Sequence, residues 1–243
     1  MPTLTASMIE SARRRFYNAG GPWHRCRLFE ALGSTRYSHP AMYDMDRKLA
    51  ELMPWNGGTF LEAGAHDGYT QSNTYYLERH RGWSGVLVEP IPELRAVCER
   101  RRPNSRVVNC ALVAPERAGA TVTMQFGDLM SIAGEDASHA RAGLAVAGRA
   151  GYSVEVPART ASSVLDDAGL SVDLMVLDVE GKELDVLAGL DLERHAPRYL
   201  LVEALDRGAQ QRALDGALAS YYEPLQALSE FDLLYRHIKA DHL

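Results

Sequence analysis

The sequence predicts an α/β fold: a doubly wound, seven-stranded sheet, mostly parallel, with an antiparallel C-terminal hairpin and N-terminal helices. Three observations predict it. Short apolar runs alternate with helical stretches from residue 58 to residue 203, the pattern of parallel strands joined by crossover helices. Four of those runs end in an acid, Glu62, Glu89, Asp178 and Glu203, which places carboxylates where open α/β sheets bind ligands. Beyond residue 221 the alternation stops, and the runs 222–228 and 231–237 are joined only by Ser229-Glu230. That link is too short for a crossover and makes them a hairpin on the sheet edge.

The elements follow in order. Residues 4–18 read as an amphipathic helix, and 19–40 as irregular, with Gly20-Gly21-Pro22 and His39-Pro40 as breakers. A helix over 41–53 ends before Pro54. The first strand is 58–62, followed by a helix over 72–80 with Ser72 as N-cap. The second strand is 85–89, the next helix 92–102 and the third strand 106–110. Residues 113–157 are the least regular, with one strand at 121–126 and another near Val154. A helix over 160–168 precedes the fourth strand, 173–178; a helix near 182–190 precedes the fifth, 199–203; a helix over 207–218 precedes the hairpin. The expected division is an N-terminal helical extension, 1–57, and a single domain, 58–243.

Composition bounds the function. The chain has 243 residues, 46% hydrophobic and 24% charged, enough for one sizeable core. A net charge of −6 argues against a nucleic-acid partner, which needs a basic face. The runs Arg13-Arg14-Arg15 and Arg100-Arg101-Arg102 read as solvated helix faces. Cys26, Cys98 and Cys110 have neither metal-ligand spacing nor even pairing, as expected of reduced thiols in a cytoplasmic protein. No stretch approaches the ~20 apolar residues that span a bilayer.

Residues 58–68, Gly-Thr-Phe-Leu-Glu-Ala-Gly-Ala-His-Asp-Gly, carry the most information. A buried strand hands over to a turn with glycines at 64 and 68, and a second apolar run ends at Glu89, where a carboxylate can accept both hydroxyls of a ribose. A dinucleotide site wants Gly-x-Gly-x-x-Gly for its pyrophosphate. Here His66 stands where a middle glycine is wanted, and Glu62 adds negative charge. That suits S-adenosylmethionine, which carries an ammonium, a sulfonium and a ribose but no phosphate.

The chain resembles the FkbM family of S-adenosylmethionine-dependent methyltransferases, within the Rossmann-like class I methyltransferase fold. The blocks that carry the resemblance are Phe60-Leu-Glu-Ala-Gly-Ala-His-Asp-Gly, Gln71-Ser-Asn-Thr with Tyr76-Leu-Glu, and Gly82-Trp-Ser-Gly-Val-Leu-Val-Glu-Pro. They continue through Asn109-Cys-Ala-Leu, Val156-Pro-Ala-Arg-Thr and, strongest, Leu177-Asp-Val-Glu-Gly-Lys-Glu-Leu-Asp-Val-Leu-Ala-Gly. They span roughly residues 58–203 in order. The family generally has Leu after the Arg-Thr pair, where this chain has Ala161, and often Lys where it has Met175-Val176. Neither departure touches the cofactor turn.

The expected cofactor residues are Glu62 on the ammonium, the backbone of Gly64, Ala65, His66, Asp67 and Gly68 against the cofactor, and Glu89, followed by Pro90, on the ribose. Ser72 and Asn73 reach toward the carboxylate or simply cap their helix. By the resemblance, Asp128 and Ser131 lie toward the adenine edge. His66, Asp178, Glu180 and Glu203 are the candidates for catalysis, since a hydroxyl acceptor must be aligned and lose a proton. Asp178 also reads as a cofactor contact, or with Glu203 as a ligand pair for one magnesium ion. Tyr17, Trp23, His24, Tyr37, Tyr69 and Tyr75 stack on a sugar face or serve as packing.

Three functions stay open at this point. The resemblance implies methylation of a small-molecule acceptor, above all O-methylation of a sugar hydroxyl in a glycosylated natural product or glycolipid of secondary metabolism, with N-methylation of an aminosugar as its variant. A nicotinamide-dependent oxidoreductase and a non-catalytic nucleoside-binding protein are the others. The expected partner is a sugar or glycoside, with no nucleic acid and no membrane span; a homodimer is allowed.

Overall fold

The computed structural model describes residues 20–127, 131–133 and 151–240. The helix expected over 4–18, the run Arg13-Arg14-Arg15 and Tyr17 lie outside the described residues. Seven strands form the main sheet: β1 (Thr59–Ala63), β2 (Ser84–Val88), β3 (Arg106–Val108), β8 (Leu174–Leu177), β9 (Tyr199–Glu203), β10 (Tyr222–Ala227) and β11 (Asp232–His237). Their order is β10-β11-β9-β8-β1-β2-β3. β1 pairs in parallel with β2 and β8, while β11 runs antiparallel to both β9 and β10. This is the expected doubly wound sheet with its C-terminal hairpin.

Alternating side chains explain why the strands are apolar along their whole length. Leu61 and Ala63 on β1, Val86 and Val88 on β2 and Leu200 and Val202 on β9 are buried in one cluster with residues of α5 (Ala161–Ala168), α6 (Glu183–Ala188) and α7 (Ala209–Leu218). Phe60, Leu87, Leu174 and Leu201 face the other way. They pack with Met45 and Leu49 of α2 (Met45–Leu52), Leu77 of α3 (Tyr75–Arg81) and Cys98 of α4 (Pro92–Arg101). Helices thus cover both faces. α5 begins at Thr160, whose side chain accepts from the Ser163 amide, and ends at Gly169 in the left-handed conformation.

Two stretches differ from the sequence expectation. Residues 19–40 are not irregular throughout: Gly21–Ala31 is a helix, α1. Gly20 is its left-handed N-cap and Pro22 sits in its first turn, where the missing proline N–H has no helical partner to lose. The helix docks on α3 through Glu30, which accepts from Ser38 Oγ (2.9 Å), Tyr75 Oη (3.0 Å) and Arg79 Nε (3.0 Å). The region 113–157 holds a second sheet of β4 (Ala111–Leu112), β5 (Thr121–Gln125), β6 (Ile132–Ala133) and β7 (Ser153–Arg159), in the order β4-β7-β5-β6. β5 and β7, the two expected strands, pair antiparallel with each other and not with the main sheet. Their apolar residues Val122, Met124 and Val156 cluster with Ile91 and Leu94, just past the end of β2.

Candidate active site

The strand order reverses between β1 and β8, so the crevice beyond their carboxyl ends lies at a topological switch point. The turns after β1, β2, β8 and β9 surround it. In the first of them, the amides of Gly64 and Ala65 both donate to the Val88 carbonyl at 3.1 Å, tying it to β2. A Cβ on Gly64 would lie 2.0 Å from the carbonyl oxygen of Asp178, and one on Gly68 would lie 2.9 Å from Cys98 Sγ. Both glycines have positive φ, +88° and +78°. Their first requirement is therefore internal: Gly64 lets the ends of β1 and β8 meet, and Gly68 lets the turn meet α4. His66 is also left-handed, with φ +48°, a conformation uncommon for a residue with a side chain.

Glu62 is engaged inside the protein. It points onto the α3 side of the sheet and is buried. Its carboxylate accepts from Ser72 Oγ (3.0 Å), the Asn73 amide (2.8 Å) and Thr74 Oγ1 (2.5 Å). Arg102 Nη1 stands 3.6 Å away. Glu62 and Ser72 thus hold the 72–74 turn together. The helix itself starts at Tyr75 with Thr74 as N-cap, so Ser72, the expected cap, stands two residues before the observed one; its Oγ accepts from the Tyr75 amide at 3.1 Å.

Arg102 was expected on a solvated face and is instead 1% exposed. It donates to Glu78 (2.7 Å), Thr74 Oγ1 (2.8 Å), Ser72 Oγ (3.0 Å) and the Gly68 carbonyl (3.2 Å). One guanidinium therefore organises both the glycine turn and the start of α3. A signal existed: Arg102 follows the buried Leu94 and Cys98 at steps of four, on the inward stripe of its helix. Arg101 is also engaged, 2.5 Å from Asp67. Asp67 in turn accepts from the amides of Tyr69 and Thr70. Burial pushes its carboxyl up, but contacts with His66 and Arg101 outweigh this and hold it well below the usual range.

Glu89 stands where the sequence puts it, one residue past β2, and is 4% exposed. Its carboxylate accepts the His66 amide and the Ile91 amide, each at 2.8 Å. Each oxygen keeps one lone pair. Burial raises the carboxyl to about 7. Asn109, to which the sequence reading gave no role, donates to the carbonyls of Glu89 (2.9 Å) and Pro90 (2.7 Å) and fixes this corner.

The fourth and fifth strands bring acids together. Burial, then Glu180, Asp232 and Glu183, raise the Asp178 carboxyl; burial, then Asp178, Glu180 and Glu183, raise that of Glu203. Glu203 Oε2 is buried with no hydrogen-bond partner. Glu180 has φ +56°. Among the described residues, no group of three or more His, Cys, Asp or Glu side chains is arranged to hold a metal ion, so the magnesium pair gains no support. Asp128 lies outside the described residues, and Ser131 Oγ accepts from the Gly127 amide at 3.0 Å. Tyr69 and Tyr75 are buried against Trp23, as packing.

These acids fit a cationic, phosphate-free ligand: an unpartnered buried carboxylate oxygen at Glu203 is a poor neighbour for a pyrophosphate and a good one for an ammonium or sulfonium. The model of the FkbM methyltransferase domain matches residues 62–234. The chain belongs to the FkbM methyltransferase family. It is an S-adenosylmethionine-dependent methyltransferase, and this decides against the nicotinamide oxidoreductase. No curated protein sequence matches the chain. Among solved structures, a TehB-like S-adenosylmethionine-dependent methyltransferase from Corynebacterium glutamicum is similar at 16% identity, covering 93% of this chain and 99% of that one, with a TM-score of 0.44. Aeropyrum pernix fibrillarin, with natively bound S-adenosylmethionine, is similar at 13% identity over 81% of this chain and 76% of its own, TM-score 0.46. A Burkholderia thailandensis 1,6-didemethyltoxoflavin N1-methyltransferase, with its substrate and S-adenosylhomocysteine bound, shares 12% identity over 98% and 92%, TM-score 0.41. No helix among the described residues of this FkbM-family enzyme is long and apolar enough to cross a membrane.

Proposed function

We propose that this methyltransferase acts on a hydroxyl of a sugar in a glycosylated natural product or glycolipid. The observation that carries the reading is the pair Asp178 and Glu203 at the ends of the paired strands β8 and β9, with Glu203 Oε2 buried and without a hydrogen-bond partner. Glu89 would hold the ribose, and the turn 64–68 would line the cofactor. When bound, S-adenosylmethionine supplies a methyl group made electrophilic by its sulfonium. The chain's own task is to orient the acceptor and receive its proton.

Glu203 Oε2 is the candidate for that proton, because it is a carboxylate oxygen with no hydrogen bond to give up. Burial and then Asp178 beside it raise its proton affinity, and Asp178 can accept a neighbouring hydroxyl of the same acceptor. The same acids would attract an ammonium, which favours methylation of an aminosugar as a second reading. Calorimetry with S-adenosylhomocysteine and with NAD tests the cofactor. Turnover of glycosides bearing free hydroxyls, against matched aminosugars, tests the acceptor. Turnover of neither class would overturn the sugar reading.

A further inference from the structure

We propose that Glu183 is a positioning residue for methyl transfer, a buried carboxylate that fixes the turn carrying Asp178 and Glu180 and latches it to the helix that follows Glu203. The strongest sequence block of the chain contains Glu183, and no role attaches to it from the cofactor or the acceptor.

Glu183 is the first residue of α6 and is 0% exposed. Its Oε1 accepts from the Gly181 amide (3.0 Å) and the Val179 amide (3.3 Å). Its Oε2 accepts from Gln210 Nε2 at 2.8 Å. Both oxygens are engaged and away from solvent, so Glu183 is not itself placed to take a proton from an acceptor. It acts on groups that are. The turn it holds includes Glu180, whose φ of +56° persists only where neighbours enforce it. On the other side the same turn is held by β1. The Asp178 amide donates to the Ala63 carbonyl at 3.3 Å, and the Asp178 carbonyl abuts Gly64. Asp178 is therefore clamped between β1 and Glu183.

The second oxygen extends the clamp. Gln210 lies in the first turn of α7, which the chain enters directly from the segment after Glu203. One carboxylate thus ties the loop after β8 to the helix after β9, the two strands whose ends bear Asp178 and Glu203. Positioning matters because a displacement of about 1 Å of a reacting group costs on the order of 10²-fold in rate.

This inference rests on the strand ends being the transfer site, and the test separates the two. The wild-type enzyme is first titrated with S-adenosylhomocysteine; absence of binding would defeat the site reading, not the role of Glu183. Glu183→Ala is then expected to bind S-adenosylhomocysteine within about threefold of wild type while kcat falls about 10²-fold and the pH profile shifts. Glu183→Gln keeps a carbonyl oxygen for the two amides and can pair with a flipped Gln210 amide, so it should restore kcat to within about tenfold. Gln210→Leu, which leaves the turn contacts intact, is expected to lie between, and carries the test if Glu183→Ala does not fold. Wild-type kcat and pH profile in Glu183→Ala or in Gln210→Leu would overturn the proposal. So would loss of cofactor affinity in step with kcat, or a Glu183→Gln variant no better than the alanine.

Discussion

The carboxylate of Glu89 accepts the backbone N–H of His66 at 2.8 Å and so joins the turn after β2 to the turn after β1. With the Ile91 amide on its other oxygen, Glu89 is oriented before any ligand arrives. Glu89→Ala is expected to lower S-adenosylhomocysteine affinity by about 2–3 kcal/mol, read by calorimetry, because on the proposed ribose contact it removes a pre-oriented acceptor from two hydroxyls. Glu89→Gln should not rescue it: both oxygens face N–H donors, so a side-chain amide must set its own NH2 against one of them.

The same residue predicts a pH dependence. Its folded carboxyl titrates at about 7, above the ordinary 4.5, so the unfolded chain binds fewer protons between those values. This contribution to stability is full below the ordinary value and is lost as pH rises through about 7. The free enzyme is therefore expected to lose thermal stability across that window, and Glu89→Ala to flatten the loss. On the proposed ribose contact the hydroxyls need the ionised form, so S-adenosylhomocysteine affinity should rise through the same window with release of a proton, measured by calorimetry in buffers of different ionisation enthalpy.

Arg102 is surrounded by Glu62, Glu78 and three further oxygen acceptors, all buried. Arg102→Met fills some of the volume but leaves two carboxylates without their cation. The expected cost is about 3–5 kcal/mol in urea unfolding, the range for breaking one side of a buried pair. A change within 0.5 kcal/mol, roughly what a surface site gives, would return Arg102 to a solvated role.

Gly64→Ala would set a methyl group 2.0 Å from the Asp178 carbonyl oxygen, a backbone atom that cannot swing away. The ends of β1 and β8 must then separate, and Asp178 must move with them. The substitution is expected to abolish S-adenosylhomocysteine binding and turnover together, with insoluble or strongly destabilised protein as the accompanying result. Normal affinity in a folded Gly64→Ala variant would show that these strand ends tolerate separation.

Much of this was legible in the chain because it depends on local pattern. Apolar runs of strand length, their terminal acids and the short Ser229-Glu230 link predict the sheet, its direction and its hairpin before any contact is known. The place of Glu89 just past a strand end is legible for the same reason. Gly20-Gly21-Pro22 misled because a breaker inside a helix is also a good helix start, and propensity does not say on which side the helix lies.

The sequence by itself determined the family, the sheet and which strand ends carry acids, since these follow from periodicity and from motifs read along one chain. Only the tertiary structure decided what those acids do. Glu62 turned inward to hold Ser72, Asn73 and Thr74, Arg102 left the solvent for the core, Asn109 fixed the Glu89 corner and Glu183 tied two loops together. The physical reason is that a carboxylate's role is set by the donors that meet it. Here those donors come from residues 10 to 40 positions away along the chain as well as from its own turn.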